Sequence, residues 1–299
     1  MKRNHPDRKD PTVLSTADPA APGGVYLCQV NGQVSCGACC GLYNVADAAY
    51  GALVSMLGER TEAFARVARQ ADTIAAFGRW AQARCGTGPF PEFHHCPFVG
   101  LIGEGQRRVG CLLHPCAAGN QGVDYRGLSY YGGMACRIYF CPAYSKLSPV
   151  IKTVVRESAA SWYEYGLMVS ETRLLNEFFK VLEERLGSSL TAADILSGEE
   201  RRHMLGRVLR LKADWPFHRR PDPGPCHYVF DDGLYPKPEV GYPPLTAKSS
   251  AYDSLLKELL SAFDTPAALE QAERMLADMI DRLARAILAA RDAQASSHG

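Results

Sequence analysis

The chain contains no run of about 18 apolar residues, so the sequence predicts no membrane-spanning helix. Its basic start, MKRNHPDRKDPTVLSTADPAAPGG, is followed by no apolar core, which excludes the pattern of a secretory signal. Charge of one sign is missing as well. The formal net charge is +1, leaving no basic surplus for nucleic acid or an anionic membrane. No P-loop, GxGxxG, GxSxG or HExxH pattern occurs, and Asp231-Asp232 and Asp281 form no recognisable carboxylate pair. The sequence therefore names no acid–base or nucleophilic catalyst.

What is present is cysteine. There are eleven, ten of them between Cys28 and Cys141, with Cys226 alone outside. Without an export signal the expected compartment is the cytoplasm, where reducing conditions disfavour structural disulfides. Metal ligation is then the main physical reason to gather thiols. The pairs have ligand spacing. In Cys36-x2-Cys39 a tight turn can place two sulfurs on one ion, while Cys40, adjacent to Cys39, is free to face elsewhere. Cys96-Pro97 and Cys111 flank a predicted hairpin, Cys116 follows, and Cys136-x4-Cys141 closes the set. The candidate metal ligands are Cys36, Cys39, Cys40, Cys96, Cys111, Cys116, Cys136 and Cys141. They suffice for two four-thiolate sites, or for one site with spare thiols.

Cys85 reads as a small buried hydrophobe at a helix end. Cys226 reads as structural, with Cys226-His227 a possible late ligand pair, and Cys28 stays open. His94 and His95 read as surface or supporting residues, since thiolates suffice without them; His114 is a further nearby imidazole. Arg137 can offset thiolate charge or form a surface ion pair. Tyr125, Tyr130, Tyr131, Tyr139 and Tyr144 read as packing around a metal knuckle, with a substrate wall as the alternative.

These motifs, in this order, resemble the bacterial YkgJ-like family of zinc- or iron-chelating cysteine-cluster proteins. The resemblance rests on Cys36-Gly37-Ala38-Cys39-Cys40, Cys96-Pro97, Cys111-Leu112-Leu113-His114-Pro115 and Cys136-Arg137-Ile138-Tyr139-Phe140-Cys141, and covers roughly residues 28–145. This chain departs in three places. The family's extra cysteine before CxxCC is matched only by Cys28, eight positions upstream. The stretch from Pro115 to Cys136 is long. Tyr139-Phe140 stands where the family tends to have Phe-Pro. The resemblance implies metal chelation and no particular reaction.

Around the cysteines the pattern predicts an α+β fold: a small irregular metal-ligated module with short β-hairpins, packed on a mostly helical body. Residues 1–22 read as a disordered leader, 23–148 as the cysteine module with a helical insert at 45–84, and 149–299 as helical with a proline-rich loop at 215–245. Residues 25–35 predict a hairpin turning type I′ at Asn31-Gly32, and 98–102 with 108–113 a second around Gly103-Glu104-Gly105. Helix 45–84 is expected to break near Gly58. Further helices are expected at 150–165, from a Ser170 cap to a Gly187 stop, behind capping boxes at Thr191–Asp194 and Ser197–Glu200, at 250–263 and at 266–293. An Asp232-Gly233 turn is expected in the loop.

The expected function is intracellular metal binding, with an iron–sulfur cluster favoured by a small margin over zinc, in one or two sites. Neighbouring thiols in CxxCC can reach different irons of a cluster. The expected partner is a metal ion, with neither nucleic acid nor membrane. A cluster-dependent redox enzyme and a structural zinc module supporting a protein-interaction surface are the alternatives.

Overall fold

The computed structural model describes residues 21–90, 93–219, 239–243 and 249–297. The chain divides into two compact units, Met1–Phe140 and Cys141–Gly299. It is mostly helical. The sheet formed by the described residues is two-stranded and antiparallel, so the class is α+β in the coarse sense.

In the first unit a short hairpin precedes the helices. Gln29 bridges Ser35, Val30 N–H donates to Val34 O at 3.0 Å, and Cys36 N–H donates to Cys28 O at 2.8 Å. The pairing matches the expected hairpin but the turn does not. Neither Asn31 nor Gly32 has positive φ. Instead Asn31 Oδ1 accepts from Gln33 N–H (2.8 Å) and Val34 N–H (2.9 Å), an Asx turn that replaces the type I′ backbone.

Helices α1 (Tyr50–Ala65) and α2 (Ala71–Gln82) follow. The break falls at 66–70, not at Gly58, which α1 absorbs at the ~1 kcal/mol cost of a mid-helix glycine. Arg69 makes the break. It donates to the carbonyls of Phe64 and Val67 at the end of α1, and reaches Asn120 Oδ1 (2.7 Å) and Ala118 O (3.1 Å). Strand β1 (Val99–Ile102) pairs with β2 (Arg108–Cys111), Val99 opposite Cys111, as the second hairpin required. Phe64, Phe77 and Phe98 interlock at 4.9–6.5 Å between centroids, and Thr61 Oγ1 both donates to Leu101 O and accepts its N–H, locking β1 on α1. Helix α3 (Gly132–Ile138) ends the unit and buries none of its residues.

The second unit contains α4 (Ala143–Lys146), α5 (Pro149–Ser158), α6 (Trp162–Val169), α7 (Thr172–Leu186), α8 (Ala192–Leu196), α9 (Glu199–Leu209), α10 (Leu211–Asp214), α11 (Asp253–Glu258) and α12 (Pro266–Ser297). The stripe Leu174, Leu175, Phe178, Leu182 and Leu186 on α7 is buried, facing α12 and α11, and Gly187 stops the helix at φ 65°.

Other sequence expectations need correction. The single helix at 150–165 is two, because α5 packs on α8 and α9 while α6 also turns to α10. Ser170 caps nothing ahead of it; its hydroxyl donates back to Gly166 O, and Glu171 is the residue preceding α7. The Thr191–Asp194 capping box is present, but the second is not. Gly198 precedes α9, and Ser197 Oγ donates to Ala193 O. The helix expected over 250–263 is confined to α11. After Leu260 (φ 55°) the chain goes extended: Ala262 N–H donates to Phe217 O (2.9 Å) and Phe263 N–H to Gly241 O (2.7 Å). The final helix starts at Pro266, with Thr265 Oγ1 accepting from Ala268 N–H at 3.2 Å, and runs four residues past 293. Residues 1–20, Cys226-His227 and the Asp232-Gly233 turn lie outside the described residues.

Candidate functional site

The cysteines are positioned by three backbone devices in the first unit. The hairpin ending at Cys36 is pinned to β2. Val109 N–H donates to the buried Ser35 Oγ (2.8 Å), Gln29 Nε2 donates to Val109 O (3.0 Å), and Arg108 Nη1 meets Gln29 Oε1. Gly37 is close-packed, since a Cβ there would sit 3.0 Å from both Leu42 Cδ2 and Val109 Cγ1. Ala38 N–H donates to the Cys36 sulfur at 3.5 Å.

A 3₁₀ turn over Ala38–Cys40 closes at Gly41, φ 72°. A Cβ on Gly41 would run into His94 O and lie 2.9 Å from His95 Cα. Only glycine fits, and its fit brings the first cysteine element against the second: Cys96 N–H donates to Cys40 O at 2.8 Å. Cys111 ends β2 opposite Val99, which lies three residues after Cys96. Cys136 lies on α3, its sulfur 3.3 Å from Ser129 Oγ and its carbonyl accepting from Arg126 Nη1 at 3.4 Å.

Five thiols thereby fall within electrostatic reach of one another. Cys40 is pushed well up, first by its hydrogen bond with Cys39, then by burial, then by the charges of Cys39, Cys96 and Cys111. Cys39, the acceptor of that pair, is lowered. Burial, then Cys136 and Cys39, lift Cys96 to about 11 against the opposing pull of Phe98 N–H and Arg60. Burial, Cys96 and Cys136 lift Cys111 to about 12. Like charges in a poorly solvated space suppress one another's ionisation.

Arg126 and Arg60 border the group. Arg126 is held by Asp124 through Nε (2.9 Å) and Nη2 (2.8 Å), and its charge is favoured first by that carboxylate and further by Cys111 and Cys136. Arg137 binds the same carboxylate at 2.7 Å, the surface ion pair weighed from sequence. Arg60 is buried on α1 and contacts His95 Nε2 at 2.7 Å, while His95 Nδ1 meets Gly41 O at 2.7 Å. Burial, then the Arg60 charge, pushes His95 down to about 4, so it is neutral at physiological pH. His94 stacks on Tyr130 (4.2 Å) and meets Tyr131 edge-on (5.3 Å).

Of the eight cysteines singled out from sequence, Cys39, Cys40, Cys96, Cys111 and Cys136 are thus brought together. Cys36 is next to them in chain, beside the turn. Cys116 is exposed, its amide donating to His114 Nδ1 at 3.1 Å. Cys141 belongs to the second unit, where its carbonyl accepts from Tyr144 N–H at 3.0 Å. Cys85 is buried and donates to Gln82 O at 3.1 Å. Among the described residues no three His, Cys, Asp or Glu side chains already form a group arranged to hold a metal ion. The donor chemistry nevertheless suits one: thiols that hold each other protonated are released together when a soft dication replaces their protons.

Sequence reasoning passed over Arg60, Asp124 and Arg126. Arg60 carried a signal, because it interrupts the buried stripe Leu53, Leu57, Phe64 of α1 at an inward position. Asp124 and Arg126 sit in an aperiodic stretch and carried none.

Among the described residues no helix is long and apolar enough to cross a membrane. Comparison with protein-family models, with curated proteins and with solved structures finds no match.

Proposed function

We propose that the first unit is a metal-binding module that holds iron, as an iron–sulfur cluster, or zinc through cysteine thiolates. Cys39, Cys40, Cys96, Cys111 and Cys136 are the core of the ligand set, with Cys36 and Cys116 the further candidates in this unit, in one or two sites. The observation that carries this reading is the close approach of the Cys39-Cys40 turn to Cys96, where Gly41 packs on the 94–95 backbone and Cys96 N–H donates to Cys40 O at 2.8 Å. Thiols gathered in this way are unfavourable as thiolates and gain most from a bound cation. Bound metal would supply charge compensation and, for a cluster, electron transfer. Arg126 and Arg60 would offset the residual negative charge that thiolates leave on a divalent ion.

Iron is favoured because Cys39 and Cys40 are adjacent yet differ in character, which suits ligation to separate irons of one cluster. The ordered motifs shared with the YkgJ-like family support the same chelating role, at a cytoplasmic location. The test is the absorption spectrum of protein purified without oxygen. A cluster gives visible sulfur-to-iron charge-transfer bands that bleach on reduction, whereas zinc gives none and is found by elemental analysis.

A second reading has its own support. Leu128, Tyr130, Met134 and Ile138, at or beside α3, are 42–78% exposed. Apolar exposure of that size next to Cys136 suits a zinc knuckle that presents a protein-binding face. It predicts a closed, inert site that chelators empty only on unfolding.

A further inference from the structure

The first unit also contains a cavity of about 300 Å³ between α1 and α2, at the lower end of small-molecule sites. Its lining includes Met56, Glu59, Arg60, Trp80, Ala81 and Arg84.

Arg60 is 2% exposed, and a guanidinium taken out of water needs partners for its charge and for five N–H donors. Three contacts account for part of that demand: His95 Nε2 at 2.7 Å, Ala81 O at 3.5 Å, and the Cys85 thiol. None of the three is a carboxylate. The imidazole must accept at Nε2 from a guanidinium, so its proton is on Nδ1, directed at Gly41 O. It therefore supplies no negative charge. Two of the five Arg60 donors have no partner among these contacts, and the carboxylate whose charge reaches it is Glu59, which lines the same cavity.

Another part of the lining is built differently. Arg84 lies over the Trp80 ring, 4.5 Å from its centroid, and pairs with Glu59 at 3.5 Å, both side chains about half exposed. Together Arg60, Arg84 and Glu59 leave one net positive charge beside an indole, a thioether and an alanine methyl.

We propose that this cavity binds a small organic monocarboxylate, its carboxylate on the Arg60 fork and its aromatic or short aliphatic part against Trp80 and Met56. The planar fork matches a carboxylate's two oxygens. The single net charge fits a monoanion, and Glu59 at the rim repels anything more highly charged, such as a phosphate monoester. The apolar lining asks for a hydrocarbon part, and the volume limits its size.

The experiment is calorimetric titration of the full chain with benzoate and with hexanoate, and with neutral benzamide as the isosteric control. At least one carboxylate should saturate, with benzamide about tenfold weaker or more. Exposed Arg84 can be replaced without touching the core, and Arg84→Gln should weaken the carboxylate about fivefold. Glu59→Gln should tighten it, because it removes a like charge, and Arg60→Gln should abolish binding. The tightening by Glu59→Gln is an effect that a damaged fold cannot mimic. Failure of both carboxylates to saturate wild-type protein, equal binding of benzamide, or identical affinities in wild type, Arg84→Gln and Glu59→Gln would overturn the proposal.

Discussion

Cys39 and Cys40 are neighbours in sequence but not in character. One thiol donates to the other, so Cys39 is lowered while Cys40 is raised. Cys40 alone of the two also feels both Cys96 and Cys111 among its leading influences. The two should therefore answer differently to removal. Cys39→Ser is expected to reduce metal content to well below that of wild type, because it removes the most readily ionised donor. Cys40→Ser is expected to keep a metal but change the spectrum or the stoichiometry. Equal metal content and identical spectra in both variants would contradict this. Gly41 makes a second prediction at the same scale. Its φ of 72° costs an L residue about 1–2 kcal/mol, and a Cβ there collides with the 94–95 backbone. Gly41→Ala should lower stability by at least about 2 kcal/mol in denaturant and depress metal uptake together, since one contact joins Cys40 to Cys96. An unchanged midpoint would show that the two segments are not held by this approach.

At the scale of elements, the second unit offers a clean electrostatic test. Asp194 closes the capping box of α8 and is gripped by Arg291 of α12 through two bonds of 2.8 and 2.7 Å. Arg291 first, with the Thr191 amide and hydroxyl, holds the Asp194 carboxyl down to about 2. A depressed carboxyl contributes stability above its unfolded value of about 3.9, and that contribution disappears as pH falls toward about 2. It amounts to about 2 kcal/mol at most. Arg291→Gln should flatten the fall in stability between about pH 4.5 and pH 2.5, and parallel curves for variant and wild type would refute the pairing. The Thr191–Asp194 capping box was legible in sequence, as were the α7 stripe, its Gly187 stop and the Pro266 start, because each is written within one turn of chain, whereas the Arg291 grip on Asp194 was not. The breaks at 66–70 and 159–161 and the early end of α11 were not. They are set by Arg69 reaching residues about fifty positions away, by α5 and α6 choosing different neighbours, and by residues 260–263 pairing with 217–219 and 241. In the candidate site the cysteine spacings were legible, whereas the Gly41 approach to residues 94–95 and the Asp124–Arg126 pair arise only on folding.

At the scale of the whole molecule, the two units differ in what holds them. The second has long amphipathic helices around Leu175, Phe178, Leu205, Leu276 and Ile280, each burying apolar side chains at roughly 1.5–3 kcal/mol apiece. The stretch from Gly86 to Phe140 in the first has one two-stranded sheet, short turns and an α3 with no buried residue. On the proposed function, metal binding is folding free energy for that stretch. Chelation should accelerate proteolysis and amide exchange there, while α7 and α12 keep their protection. The central claim is tested most directly by counting iron, zinc and acid-labile sulfide per chain in protein purified without oxygen, beside Cys111→Ser. The account predicts at least one tightly held metal ion per wild-type chain and a clear loss in Cys111→Ser. A folded wild-type protein that carries no metal, and takes up neither iron nor zinc when offered them under reducing conditions, would contradict it.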